Sequence, residues 1–555
     1  MIVNLMLSRG FRWFYRDHIY VKGYLFDRDN KLYKNEELLD YFSGIESEMD
    51  FKDRLINANG FFSVVVITSE LILAAVDRLR SMPLFYGRDL VDLYITDNPF
   101  YLYEKIPNKN FNDISRKEFT LTGYVTGNKT LSDGVMQLRA GEYLVYSKFT
   151  AKEETKLYFQ YIHDNFFNES DGNLIEKMDL LHLNVFKRLI KSLDDRMAVI
   201  PLSGGLDSRL IAIMLKRLGY TNVTCFSYGV PGNSESIISK EIAKALGFKW
   251  VFVEYSMKKW NDFFNSDTRV KYFRFSGGIS SLPHAQDFIA VEEMKNRGLI
   301  PNDAVFIPGH SYDFLQGSHI PKDIVNKKIF SDEEVIHQIL NKHYSLHNWG
   351  KDKEILWEEF AERIRLNIGD SEMFSQEEVS DVFELWDWQE RQAKFICNSV
   401  RVYEYFNYEW RMPLWDNEVM EYWARAPIDK RMDRRLYYIY NDTFCSDYIL
   451  LEGRLRQTGL RIADINYDKK NSAVKVVKKC IKKLFRMAGI NKIDDIKEKV
   501  NRQNNLKNCE SLYYNNPLAC FGIMKIDEFR EKYSGIEDLN SFVVRKWLKE
   551  LEKGQ

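Results

Sequence analysis

The hydrophobic pattern changes period once between Met197 and Leu218. Met197-Ala198-Val199-Ile200-Pro201-Leu202 is a continuous apolar run, the mark of a buried strand, whereas Arg209 to Leu218 carries its apolar residues at helical spacing. Ser203-Gly204-Gly205-Leu206-Asp207-Ser208 lies between them, so the pattern predicts strand, tight glycine loop and a helix starting near Asp207. The same rhythm continues downstream. Val223 to Tyr228 reads as a strand, Ser234 to Leu246 as a helix closed by Gly247, and Trp250 to Val253 as a further strand. Strands alternating with helices predict a parallel α/β sheet with crossover helices, whose ligands sit at the carboxyl ends of the strands. An amphipathic helix from Leu174 to Leu193 precedes this unit, and the polar, aromatic stretch Tyr158 to Asn168 reads as a linker.

Residues 1 to about 150 follow a different pattern. Tyr20 to Phe26, Phe61 to Ile67, Leu71 to Val76 and Gly141 to Tyr146 are short β-branched or aromatic runs separated by turn residues, which predicts a layered sheet domain. The last hundred residues read as helices. From Lys469 to Arg486 they carry six further lysines and no acidic residue, a basic face suited to an anionic surface or, more commonly, to solvent.

Composition narrows the classes. With 45% hydrophobic residues, 29% charged residues and a net charge of -1 over 555 residues, the chain has the make-up of a multi-domain globular protein and no global field toward nucleic acid. The six cysteines are scattered without a C-x-x-C pair, which disfavours a disulfide framework or a zinc site. Arg9, Arg12 and Arg16 interrupt the first apolar stretch before a signal-peptide core is complete, and no apolar run reaches membrane-spanning length. A cytoplasmic location is the expectation, with contact at the inner membrane face through 469–486 as an addition.

The loop from Ser203 to Ser208 supplies the chemistry. Two glycines let backbone approach a ligand, successive N–H groups point inward, and a helix N-terminus adds partial positive charge. Ser203 and Ser208 add hydroxyls, and Asp207 beside phosphates makes sense chiefly with a divalent cation between them. The loop lacks the Gly-Lys-Ser/Thr ending of the Walker type. Ser-Gly-Gly-Leu-Asp-Ser resembles the signature of the PP-loop ATP pyrophosphatases, which cleave ATP between its α and β phosphates.

Further residues extend the resemblance to the asparagine synthetase family over most of residues 20 to 430. Asn59-Gly60-Phe61-Phe62, Asp77-Arg78 and Pro83-Leu84-Phe85-Tyr86 are similar to its amino-terminal glutaminase domain, an N-terminal-nucleophile fold. Residues 304 to 319 are similar to the loop Ser-Gly-Glu-Gly-Ser-Asp-Glu, with Gly309 on its first glycine and Asp313 on its aspartate. Tyr408-Glu409-Trp410-Arg411-Met412-Pro413-Leu414-Trp415-Asp416 is similar to Glu-x-Arg-x-Pro-Phe-Leu-Asp. The resemblance implies ATP and Mg²⁺ as cofactors, Leu202, Ser203, Gly204, Gly205, Asp207, Ser208, Ser227 and Gly309 around the nucleotide, Asp207 and Asp313 on the metal, and Glu409 with Arg411 as catalytic residues. His310 is open between phosphate donor and loop residue, and His319 reads as a loop residue.

Departures from the family set the remaining expectations. Position 2 is Ile2 and no cysteine precedes Cys225, so the family's thioester chemistry has no nucleophile here. The synthetase lysine has no clear counterpart, with Arg435, Arg454 and Arg456 as nearby cations. The expected layout is a degenerate glutaminase-like domain over 1–155, an ATP-binding domain over 170–455, and a helical extension over 456–555. The expected activity is amide synthesis from an adenylated carboxylate, with ammonia or an amine as donor, a partner glutaminase as one source of it, and no nucleic acid as partner. Within the family the chain looks most like the branch associated with surface polysaccharide, where a uronic acid is the carboxylate. Intramolecular amide formation of the β-lactam synthetase or peptide cyclase type is the alternative, followed by an inactive scaffold and a PP-loop enzyme acting on tRNA.

Overall fold

A computed structural model of the chain describes residues 2–107, 109–368, 373–446 and 539–553. The basic stretch 469–486, Arg454, Arg456 and three of the six cysteines lie outside the described residues. The other three, Cys225, Cys397 and Cys445, are buried free thiols.

The amino-terminal part is layered, as its runs of short strands predict. Its larger sheet runs in the order Lys152–Leu157, Glu142–Ser147, Leu71–Val76, Asn59–Ile67, Ile19–Phe26 and Phe14–Arg16, with Leu32–Lys34 also paired to Ile19–Phe26. A second sheet orders Ile2–Asn4, Leu93–Thr96, Phe85–Arg88 and Met136–Gln137. Alternation along the strands explains how the layers stack. Tyr86 and Ile95 point one way and join Val65, Ile72 and Leu144 between the two sheets. Phe85 and Tyr94 point the other way and pack with Leu102 of the helix Pro99–Lys105. Helices Glu37–Tyr41 and Glu48–Ile56 cover the outer face of the larger sheet through Leu38, Leu39, Phe51 and Leu55. Helix, sheet, sheet and helix thus form four layers.

The second part is built on a parallel sheet in the order Lys249–Glu254, Val223–Gly229, Ala198–Pro201, Val305–Phe306 and Glu409–Trp410. Ala198, Val199 and Ile200 are fully buried, which is why that strand reads as an unbroken apolar run. The strand order reverses at Ala198–Pro201, because successive strands first add on one side of it and later ones on the other. Such a reversal leaves a crevice at the carboxyl end of the central strand. The helices Leu206–Arg217 and Ser234–Leu246 make the crossovers, and Gly247 ends the latter at φ +72°. The predicted amphipathic helix spans Asp171–Leu193, capped by Ser170.

The helical stretch from Gln376 to Tyr405 carries an unexpected feature. Its polar residues Gln389, Glu390, Gln392, Lys394, Asn398 and Arg401 are buried, not solvated. Residues Asp387–Ile396 form a π-helix, a wide turn that turns polar groups inward toward partners. Lys394 Nζ donates to Glu390 and to the carbonyls of Val125 and Gly127, and Trp388 Nε1 donates to the Arg78 carbonyl. This helix therefore stitches the layered part to the parallel-sheet part. The helix Leu539–Lys553 packs back on the same side, where Trp547 meets Phe100 and Phe273 edge-on. No described helix is long and apolar enough to cross a membrane.

Candidate active site

The loop from Ser203 to Ser208 opens at the sheet's reversal point. Leu202 N–H donates to the Phe226 carbonyl at 2.9 Å, so the chain stays in the sheet until the loop begins. Ser203 N–H then donates to Ser208 Oγ at 3.2 Å, and Gly205 N–H to Ser203 Oγ at 3.1 Å. Gly205 caps the helix Leu206–Arg217 without any side-chain hydrogen bond. The first N–H groups of this twelve-residue helix are thus left for a ligand, the arrangement that binds phosphate.

Gly309 presses on this loop. A Cβ there would lie 2.7 Å from the Ser208 backbone nitrogen, so only glycine lets the two loops meet. The Asp313 N–H donates to Asp207 Oδ2 at 3.1 Å, which brings the two predicted metal carboxylates to one edge of the cradle. Ser227, buried near the end of the neighbouring strand, flanks the same crevice.

Asp207 is the most perturbed group of the cradle. Burial pushes its carboxyl up to about 6 against the pull of the Arg434 guanidinium, and the nearby Asp313 carboxylate adds to the rise. Arg434 donates to Asp207 Oδ1 at 2.7 Å and to Gln316 Oε1 at 2.6 Å. The sequence reading missed it. Among the cations named instead, Arg435 is turned away and pairs with Asp171. A signal existed only in three dimensions: Asp433 and Arg434 both have φ in the left-handed region, +54° and +61°.

The two residues expected to be catalytic sit elsewhere, and this corrects their assignment. Glu409 pairs in register with Val305, which pairs with Ala198. That level is about 16 Å along the sheet from Ser203, at the amino end of the strands. Glu409 is held there by Arg196 at 2.8 Å and by Arg411 at 2.7 Å. Arg411 is fully buried and spends its other N–H groups on Ser192 and the Trp410 carbonyl, with Tyr24 stacked 4.1 Å from its guanidinium carbon. The pair is a structural clasp between the layered sheet and the parallel one.

The clasp has a measurable consequence. Despite desolvation, Arg411 and Arg196 hold the Glu409 carboxyl down to about 2, against an ordinary value of 4.5. A depressed folded-state value contributes stability above the unfolded value and loses it as pH falls toward 2. The shift corresponds to roughly 3 kcal/mol. Glu409→Gln is expected to unfold at markedly lower denaturant at pH 7 while leaving the cradle's ligand affinity unchanged; a normal midpoint together with lost ligand binding reverses the assignment.

His310, left open by the sequence, and His319, read there as a loop residue, are both placed. His319 Nδ1 lies 2.6 Å from the buried Asp387 carboxylate of the π-helix, and its Nε2 lies 3.7 Å from Asp313. His319 is thus a buttress between that helix and the cradle edge. His310 Nε2 lies 2.6 Å from Ser399 Oγ.

The arrangement fits Mg²⁺ in the way that ion is usually held, by one or two carboxylates together with substrate phosphates. Asp207 and Asp313 would provide those carboxylates. Among the described residues no cluster of three or more His, Cys, Asp or Glu side chains forms a self-sufficient metal site.

Comparison with known proteins follows the same segment. Residues 186–264 match the family model described as asparagine synthase, a stretch that contains the cradle strand, loop, helix and the next crossover. A curated relative, the probable asparagine synthetase (glutamine-hydrolyzing) of Acanthamoeba polyphaga mimivirus, is 48% identical over 56 residues, which is 10% of this chain and 10% of that protein. The chain thus matches about a tenth of the length of this relative. A solved glutamine phosphoribosylpyrophosphate amidotransferase from B. subtilis, complexed with ADP and GMP, aligns over 54% of this chain and 63% of that chain with 10% identity and a TM-score of 0.18, a likeness too low to bear on the fold. Residues 186–264, which hold the glycine loop of the cradle, are thus similar to the asparagine synthase family.

Proposed function

We propose that this protein is an ATP-dependent amide synthetase that forms AMP and pyrophosphate. A substrate carboxylate attacks the α phosphate, pyrophosphate departs into the cradle, and ammonia or an amine attacks the activated acyl group. The observation that carries this reading is the uncapped helix end behind Ser203 to Ser208, with Asp207, Asp313 and Arg434 converging on its rim. Phosphate chemistry of this kind needs positioning and charge neutralisation more than covalent help. The N–H groups of the loop and helix end would take the pyrophosphate oxygens, Asp207 and Asp313 would hold Mg²⁺, and Arg434 would offset charge on the leaving group. Mg²⁺ supplies Lewis-acid neutralisation of the phosphates when bound.

The amide nitrogen is proposed to come from outside the chain, because residues 1–224 contain no cysteine to open glutamine. A sugar carboxylate, of the uronic acid kind, is the proposed substrate class. Pyrophosphate release with ATP, Mg²⁺, ammonium and a panel of carboxylates tests the reading. Turnover with at least one carboxylate is expected, and Ser208→Ala should lower its kcat/KM about tenfold through one lost hydroxyl contact. No nucleotide binding and no turnover would instead favour a catalytically silent scaffold.

A further inference from the structure

Asp313 rests on a very short element. Its helix, Tyr312–Leu315, has four residues, and Ser311 before it provides no side-chain cap. The Asp313 side chain is 38% exposed, so burial does not hold it in place. Its two neighbours in the chain are fully buried and differ in kind. Phe314 stacks on Trp415, an apolar contact. Tyr312 instead carries a hydroxyl into the core and uses it twice. Trp423 Nε1 donates to that hydroxyl at 3.1 Å, and His182 Nε2 lies 2.7 Å from the same oxygen. An indole N–H can only donate, so the phenol oxygen accepts on that side and shares one proton with the imidazole on the other. Trp423 belongs to the helix Asn417–Ala424 and His182 to Asp171–Leu193, so the phenol is clamped between two longer helices.

The clamp touches the rest of the cradle rim. Tyr437 meets the Tyr312 ring edge-on at 5.1 Å, and its hydroxyl lies 3.4 Å from the carbonyl of Leu206, the first residue of the cradle helix. The Arg434 guanidinium carbon lies 5.1 Å from the Tyr437 ring. His182 shows that the clamp does more than fill space. It is fully buried, and among the described residues its Nδ1 meets no hydrogen-bond partner, so the imidazole is desolvated for its bond to Tyr312. An apolar side chain would fill the same place without that penalty. The polar side chain is accounted for by what it holds.

We infer that Tyr312, clamped by His182 and Trp423, is a positioning residue that keeps the Asp313 carboxylate at the metal edge of the cradle. Consecutive Cα atoms lie only about 3.8 Å apart, so a phenol that slips carries Asp313 with it. The Asp313 N–H bond to Asp207 Oδ2 would slip with it, and the two carboxylates would no longer share one edge. The inference rests on the reading of Asp313 as a magnesium carboxylate, and the two are tested apart.

Calorimetric titration of the full chain with α,β-methylene-ATP, once as its Mn²⁺ complex and once metal-free, tests it. Wild-type protein is expected to bind the Mn²⁺ complex more tightly than the bare analogue. Tyr312→Phe, which deletes only the hydroxyl, should weaken the Mn²⁺ complex about tenfold and leave the metal-free analogue unchanged. His182→Asn should do the same, because its amide stops at the Nδ1 position; His182→Gln reaches the Nε2 position and should restore most of the loss. This pair carries the same comparison where Tyr312→Phe does not fold. Tyr440→Phe is the control for a purely structural role. Its hydroxyl, 3.2 Å from Asp179, belongs to the same aromatic block, so its loss should lower the melting temperature and change neither titration. Unchanged affinity of Tyr312→Phe and His182→Asn for the Mn²⁺ complex, or an equal loss in Tyr440→Phe, overturns the positioning role and leaves the metal reading standing. A wild type that binds the Mn²⁺ complex no better than the bare analogue removes the metal reading and this inference with it.

Discussion

Asp207→Asn is expected to lower kcat/KM for ATP-dependent pyrophosphate release by at least about 10³-fold. The loss follows from geometry. Asp207 Oδ1 accepts from Arg434 and Oδ2 from the Asp313 N–H, so an amide in its place must aim its NH₂ at one of two donors. It also removes the charge on which a magnesium ion would sit, and losses of this order are usual when such a group is deleted. Burial also sets how Asp207 titrates. It is held at about 6, above its ordinary 3.8. In that window the folded state binds more protons than the unfolded one, so the group's contribution to stability falls as pH rises from about 4 to 6. Asparagine removes that dependence but leaves the largely buried Arg434 guanidinium without its carboxylate partner. Pyrophosphate release at pH 7 and denaturant melts between pH 4 and 7 read both quantities. Retained turnover would show that Asp207 serves the fold and not a ligand.

The cradle was legible in the chain because every step of it is local. The unbroken run Ala198 to Ile200, the glycines and the helical spacing after Asp207 specify strand, loop and helix within some twenty residues, and the helix begins at Leu206. Gly309 and Asp313 were also legible, since their loop follows a short apolar strand and resembles a known motif. Glu409 and Arg411 show where motif reasoning stops. Their spacing fits the family pattern, but whether such a pair faces the carboxyl or the amino end of a sheet depends on register, here fixed by Val305 and Ala198. The burial of the polar face of the helix after Gln376 is not legible for a related reason. A π-helix changes which residues share a face, and the partners that satisfy Lys394 and Glu390 lie more than 250 residues away. Neither the wide turn nor the distant carbonyls leave a trace in local composition.

Arg434 is the strongest case of a site residue hidden from the sequence, and its removal is expected to have the second-largest effect. Arg434→Ala should reduce kcat/KM for pyrophosphate release about 10²-fold, the usual scale for one electrostatic donor. Lysine in its place should recover part of this, because an ammonium keeps the charge but not the fork that spans Gln316 and Asp207. The pH profile separates a functional cation from a structural one. Arg434 pulls Asp207 down, so without it the Asp207 carboxyl should titrate above about 6 and the acid limb of kcat/KM should move upward. Arg434→Gly sharpens the test. Left-handed backbone at a residue other than glycine costs on the order of 1 kcal/mol, so glycine at φ +61° relieves strain while deleting the guanidinium. A protein that melts no earlier than Arg434→Ala yet turns over no faster places the defect in the cradle's charge; recovery of turnover in Arg434→Gly would place it in the backbone turn.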